Sequence, residues 1–444
     1  MEKLNTSVSG IIKLAFPIYG GLLANTLVGI VDTAFLGRVG WLEQAAAGYG
    51  SLFYLVFYLI GFGFVLGPQI IIARRVGEGA LRRVGHIFSN AVWVMMIYSA
   101  LLIGAWWLLA DQFFYQILNS DHIAGLTSRY LKIRTLGVPA TMLNLCFMAF
   151  FVGTNRSFAI GVASVGSGLV NVVLDYLFIF GMGSLQPMGM DGAAWASALS
   201  DISGSLIYLG IAWGKKSFSP YALRQGIPLR WSMLRQIFQV STPLILQNFI
   251  SISAWFLFFT MIEKTGELNF GVSIIIRSIY SVFMISAIAL GSATNSMVSN
   301  LIGQGRNYEI PSFLRRVMIL SFTGMLVLSL PLWLYPRYMA GFFTDDLLLM
   351  ELSVASQMVV VLALYFFSVS NIYFQAVSGT GNTRVSLIIE VFCIILYLLY
   401  TYITAIRLAS PLHFIWGAEV LYMLSFGILA YLYILSGRWK EKRL

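Results

Sequence analysis

Residues 11–36 read IIKLAFPIYGGLLANTLVGIVDTAFL, and the reading of this run decides the fold. It is long enough to cross the ~30 Å hydrocarbon core of a bilayer as one helix. Inside it lies a single acid, Asp32. A carboxylate deep in an apolar helix costs at least ~2.5 kcal/mol to insert. It is tolerated where it faces the protein interior or a watery cavity, so Asp32 is the first candidate site residue. Asn25 stands seven residues earlier, two helical turns back, and shares its face. The run exceeds the ~7–15 apolar residues of a signal peptide and no small-residue cleavage pattern follows, so it reads as a first spanning helix.

The rest of the chain repeats this character. Its 444 residues are 59% hydrophobic and only 10% charged, with a mean hydropathy of +0.82. Soluble domains carry far more charge. About twelve runs are long enough to span, near 10–36, 47–73, 87–110, 131–153, 157–181, 191–213, 236–262, 268–300, 314–335, 350–377, 385–406 and 413–436. Lipid admits only helices and closed barrels, and these runs are too long and too uniformly apolar for barrel strands. The fold class is an all-α polytopic membrane protein.

The net charge of +10 carries topology. Twenty of the 28 basic residues fall at the two termini and in one alternate set of loops. By the positive-inside rule that side is cytoplasmic, together with both termini. The charges are scattered over short loops and not gathered in one domain, so no nucleic-acid partner is expected. Cys146 and Cys393 lie within apolar runs and imply neither a disulfide nor a metal site.

The longest basic loop, GKKSFSPYALRQGIPLRWSMLR at 214–235, divides the chain. The expected parts are a six-helix lobe over 1–214, a cytoplasmic linker over 215–235 and a second six-helix lobe over 236–444. Four markers repeat across it. Pro17 matches Pro243, Gly77 and Gly79 match Gly303 and Gly305, Gly153 in FVGTNRS matches Gly381 in SGTGNTR, and Gly192 matches Gly417. The offsets are 226, 226, 228 and 225. Each half holds an even number of helices, so the repeat is parallel, a pseudo-two-fold along the membrane normal around a central site. The paired glycines are expected to end their helices in left-handed caps.

A second acid lies in the fifth run, GLVNVVLDYLFIF. Asn171 and Asp175 are four apart and share a helix face. An amide offers both donor and acceptor and can orient a carboxylate or the proton on it. The sixth run adds Ser197, with Asp201 one turn on. Asp32, Asn171, Asp175 and Ser197 form the expected proton- or cation-binding set. Two carboxylates close together in a low-dielectric space cannot both stay charged, so one becomes a proton carrier. Asn25, Asn144, Asp201 and Arg277 are further candidates for a cavity lining. In the second half Asp32 maps to Phe258 and Asn25 to Ser251, while Asn171 and Asp175 map to Leu399 and Ile403. Ion chemistry is therefore expected in the first lobe. Glu390 follows Arg384 closely and is expected near the cytoplasmic end of its helix, and Glu419, near the start of the last run, at the interface. Arg277 is expected to pair with an acid or to snorkel.

VDTAFLGR, the doubled glycine turns, FVGTNRS and SGTGNTR, NVVLD and GAAWAS together resemble the multidrug and toxic compound extrusion (MATE) family over nearly the whole chain. Within it the chain resembles the DinF-type branch. The resemblance implies that Asp32, Asn171 and Asp175 form the cation-binding cluster of the first lobe, with Ser197 in place of the family's Thr and Tyr176 where Pro is frequent. The NorM-type branch carries acids in its seventh and tenth helices; the matching positions are about Ser251 and Phe367, neither of which bears charge. The resemblance implies an antiporter of the plasma membrane, the inner membrane of a bacterium. It would expel cationic or amphipathic small molecules in exchange for protons, with Na+ at Asp32, Asn171 and Asp175 as the other coupling ion. No cofactor or resident metal is implied, and a monomer in the lipid bilayer is expected. The alternative is a flippase or exporter of lipid-linked or polysaccharide precursors, which would call for a basic cavity where this chain has acids. An enzyme is not expected: the three His residues fall in no nucleophile or metal spacing and no P-loop is present.

Overall fold

The computed structural model describes residues 3–214, 216–221, 223 and 229–441. The first half contains α1 (Val8–Val39), α2 (Trp41–Gly77), α3 (Leu81–Ile117), α4 (Asp121–Thr135), α5 (Val138–Gly153), α6 (Phe158–Phe180) and α7 (Met190–Gly214). The second contains α8 (Trp231–Glu263), α9 (Glu267–Gly303), α10 (Ile310–Leu328), α11 (Leu330–Leu334), α12 (Pro336–Gly341), α13 (Leu347–Gly379), α14 (Thr383–Thr401) and α15 (Leu412–Leu435). Ten spans among the described residues pass on length and apolarity, and the pair α4 and α5, bent by 51°, makes an eleventh. Helix α7 is the twelfth; Asp191 and Asp201 lower its hydropathy. Outward faces are apolar, with Leu108 83% and Phe256 75% exposed, as helices solvated by lipid require.

The fourth span begins earlier than its apolar run suggests. Ser120 caps it by accepting from the Ile123 amide at 3.4 Å, and the helix breaks over Leu136 and Gly137 ahead of Pro139. Proline is tolerated in the first turn of the new helix, where its missing N–H leaves no bond unmade.

The glycine turns correct the repeat register. Only the second glycine of each doublet takes the left-handed conformation, Gly79 at φ +73° and Gly305 at φ +71°. Gly77 and Gly303 are the last helical residues. Ala80 N donates to Arg75 O, and Arg306 N to Leu301 O, each at 2.9 Å, which closes the final turns. The other matching turn has its left-handed residues at Asn155 (φ +58°) and Gly381 (φ +88°). Asn tolerates this region better than most side-chain-bearing residues. Asn155 thus corresponds to Gly381, and Gly153 to Gly379, at the same offset of 226 as the first doublet.

By packing, the chain forms two units, Phe16–Gln239 and Met1–Ala15 with Val240–Leu444. These bounds differ from 1–214 and 236–444. The first residues join the second unit because Arg306 Nη1 donates to the Leu4 carbonyl at 3.0 Å, while Arg306 holds Glu309 through two contacts of 2.6 Å. Of the expected linker, residues 215, 222 and 224–228 lie outside the described residues. In the first unit Leu36, Ala46, Tyr130, Ile179 and Ala194 share one buried cluster. In the second, Phe258, Tyr280, Tyr397 and Trp416 belong to a larger aromatic core.

Candidate functional site

Helices α1 and α6 bring Asp32, Asn171 and Asp175 together in the first unit. Asp175 and Asn171 are buried and Asp32 is half-buried. With its amide nitrogen turned to the acids, Asn171 Nδ2 lies 3.0 Å from Asp32 Oδ1 and 3.3 Å from Asp175 Oδ2. One amide thus faces both carboxyl groups, and the charge of Asp32 acts on Asp175. Carboxylates are acceptors only, so a direct hydrogen bond between the two would require a proton on one of them. Neither acid is in a salt bridge among the described residues, and Asp175 Oδ1 is buried with no partner.

The other candidates divide. Ser197 is half-buried on α7 and makes no hydrogen bond to either acid; its carbonyl accepts from Ser200 Oγ at 2.9 Å. Asn25 is exposed. Asp201 is held by Arg134 Nη1 at 2.8 Å and Thr141 Oγ1 at 2.7 Å. Asn144 Nδ2 donates to the Asp201 carbonyl at 2.9 Å, and its Oδ1 accepts from Ser205 Oγ at 2.8 Å. Arg277 is exposed over the Phe259 ring, 5.4 Å from its centroid, and pairs with no acid among the described residues.

Sequence reasoning missed Arg134. It lies at the α4–α5 break, close enough to act electrostatically on Asp32, with its guanidinium carbon 4.0 Å above the Tyr54 ring. Tyr54 in turn shares a 2.6 Å hydrogen bond with Thr141. The signal was present in the segment IRTLGVPAT, where a Gly and a Pro follow an Arg at the head of an apolar run.

In the second unit Glu390 and Glu419 lie in the first half of their helices, and both are 2% exposed, enclosed by protein. Glu419 accepts from Tyr397 Oη at 2.8 Å, Trp255 Nε1 at 3.1 Å and Tyr280 Oη at 3.3 Å. Glu390 Oε1 accepts from Tyr422 Oη at 2.7 Å and contacts Ser251 Oγ. Neighbouring helices supply these donors, so counting residues from a turn could not reveal the burial. At offset 226 the counterparts of Asn171 and Asp175 are Tyr397 and Thr401, not Leu399 and Ile403. Tyr397 stacks on Phe258, the counterpart of Asp32, with centroids 5.3 Å apart. An aromatic pair stands where the first unit has its acid and amide.

The MatE family model matches residues 17–177 and 243–403, two copies at that same offset of 226. The chain is similar to a probable multidrug resistance protein NorM of Thermotoga maritima, 24% identical over 440 residues covering 97% of this chain and 93% of the relative. It is also similar to the multidrug resistance protein PmpM of Pseudomonas aeruginosa, 25% identical over 88% of this chain and 82% of that one. Among solved structures it resembles an outward-facing multidrug resistance MATE family transporter of the MOP superfamily. The TM-score is 0.89 at 19% identity, over 98% of this chain and 96% of that one. With the family model matched over most of its length and the twelve-span fold shared, this chain is an integral membrane transporter, not an enzyme, and belongs to the MatE family of multidrug and toxic compound extrusion proteins.

Proposed function

We propose that this protein is a secondary multidrug antiporter that expels cationic or amphipathic small molecules in exchange for protons by alternating access. The observation that carries this reading is the pair Asp32 and Asp175, buried or half-buried, bridged by Asn171 and in no salt bridge among the described residues, with Arg134 acting on Asp32 only from a distance. Two such carboxyl groups cannot both stay ionised unaided, so one takes up a proton or the pair binds another cation. A proton and a cationic substrate then bind with opposed preferences, and that coupling is reciprocal. The relatives named multidrug resistance proteins support the substrate class. The Thermotoga maritima relative carries the NorM name, yet Ser251 and Phe367 bring no charge to the second unit; we therefore assign coupling to the first, as in the DinF-type reading. Ser197 acts by keeping a hydroxyl on α7 for a rearranged state of the cluster.

The test is ethidium transport by proteoliposomes in which a proton gradient or a sodium gradient is imposed alone. Uptake or efflux with the proton gradient supports the reading. Transport driven by sodium alone would assign the same cluster to Na+, and no dependence on either would remove the antiporter.

We assign the chain to the bacterial inner membrane as a monomer; from the crowding of basic residues on one side we place both termini and the 215–235 loop in the cytoplasm. In a background lacking Cys146 and Cys393, Ser217→Cys is expected to resist an impermeant thiol reagent added to intact cells and to react once the membrane is opened. Labelling of intact cells would invert the topology.

A further inference from the structure

Arg134 and Asp201 form an ion pair midway along their spans, and the reading above gives it no part in transport. Arg134 is about 20 Å along the bent span α4–α5, and Asp201 about 17 Å along α7. A charged pair at such depth is retained either as satisfied glue between helices or because it faces a watery or ligand-filled space. The contacts decide between the two. A guanidinium carries five N–H donors. Arg134 uses one of them, from Nη1 to Asp201 Oδ2 at 2.8 Å. The others find no acceptor among the described residues, yet neither Nε nor Nη2 is sealed off. Asp201 is equally incomplete. Its Oδ2 accepts from both Arg134 and Thr141, while Oδ1 has no donor among the described residues and is likewise open. A pair kept for stability alone would have its polar atoms satisfied.

The surroundings hold the guanidinium flat. Its carbon lies 4.0 Å above the Tyr54 ring, and Tyr54 is fixed by a 2.6 Å hydrogen bond to Thr141. One face is thus covered and the edge keeps its donors. The helix break supplies the room: a Cβ on Gly137 would stand 3.0 Å from Arg134 Nη1 and 2.8 Å from Ala198 Cα. Tyr130 lies one turn before Arg134 on the same face of α4. Arg134, Asp32 and Asp175 all act on Tyr130 electrostatically, and Arg134 acts on Asp32 itself. A planar cation with open donors and a pair of acids therefore stand in one polar region of the first unit. The planar fork of a guanidinium matches a carboxylate, which it binds through two parallel N–H bonds.

We propose that Arg134 is a specificity-determining residue that takes the carboxylate of a zwitterionic substrate while the cationic end of that substrate lies at Asp32 and Asp175. This rests on the reading of that cluster as the site for cationic substrates and narrows the substrate class. Asp201 is the resting partner of the guanidinium. It offsets the charge within the membrane and leaves the remaining donors unoccupied. A substrate that is only a cation satisfies the acids and leaves the fork unused. One that also carries a carboxylate gains charge-assisted hydrogen bonds.

The experiment measures binding of tetramethylrhodamine, a zwitterion with a free carboxylate, and of its methyl ester, a cation, to the protein in mild detergent by fluorescence anisotropy. The two dyes differ only at the carboxyl group, so the ratio of their Kd values isolates its recognition. Arg134→Gln is expected to shift that ratio about tenfold against the zwitterion, the equivalent of ~1.4 kcal/mol. Asp201→Asn, which frees the guanidinium, is expected to shift it towards the zwitterion. Should either variant fail to fold, the charge-free double variant Arg134→Met with Asp201→Leu takes its place and is expected to shift the ratio as Arg134→Gln does. An unchanged ratio, with both dyes weakened alike or not at all, would overturn the proposal, as would failure of the zwitterion to bind wild type. No gradient is imposed, so the result does not depend on coupling. Loss of proton-driven transport in proteoliposomes would remove the antiporter reading and leave this preference standing.

Discussion

Asp32→Asn is expected to reduce proton-driven efflux to the rate of protein-free liposomes while the protein still folds and inserts. The amide is nearly isosteric with the carboxyl and keeps a polar group within reach of Asn171, so packing changes little. What disappears is the cycling charge. Asp32 and Asp175 share one hydrogen-bonding environment through Asn171, and a permanently neutral partner leaves a single carboxyl that no longer competes as a pair for a proton or a cation. The check has two parts, ethidium transport under a proton gradient and monodispersity on size exclusion. Wild-type transport by a well-folded variant would remove the first-unit cluster from the mechanism.

The second large effect concerns stability. Arg134, Asp201, Thr141 and Tyr54 tie the bend between α4 and α5 to α7 and α2. The side chains of Arg134 and Asp201 keep only 13% and 23% exposure. Removing one member of a largely buried ion pair strands the other charge, which costs about 3 kcal/mol or more. Arg134→Met and Asp201→Leu are each expected to lower the unfolding free energy by about this amount. The double variant strands no charge and is expected to recover most of the loss. Unfolding in mild detergent measures all four species of the cycle. Strictly additive losses would show that the pair contributes no coupling.

Much of this was legible in the sequence, for reasons that can be named. Lipid forces each apolar run into a helix, so the twelve spans follow from hydropathy, with α7 recognisable despite its acids. The insertion cost of a charge singles out Asp32, and four-residue spacing places Asn171 and Asp175 on one face. Distances between helices are not written in such patterns. Arg134 and Asp201 are 67 residues apart, and Glu390 meets Ser251 across 139. Their depth depends on which helices pack beside them. The repeat register slipped by two residues because SGTGNTR contains two glycines, Gly379 and Gly381, and only backbone conformation tells which one matches Asn155. That slip concealed the counterpart of Asn171, Tyr397, which faces Glu419. Ser197 was selected by its spacing on α7, and spacing alone does not bring its hydroxyl to the acids.

The most direct measurement of the central claim is proton release on substrate binding, read with a pH indicator in weakly buffered detergent solution. If a cation and a proton compete for the Asp32–Asn171–Asp175 cluster, ethidium added to wild type releases protons in proportion to the amount bound. Asp32→Asn then binds ethidium with measurably less release. Saturable binding to wild type with no proton released would contradict the account.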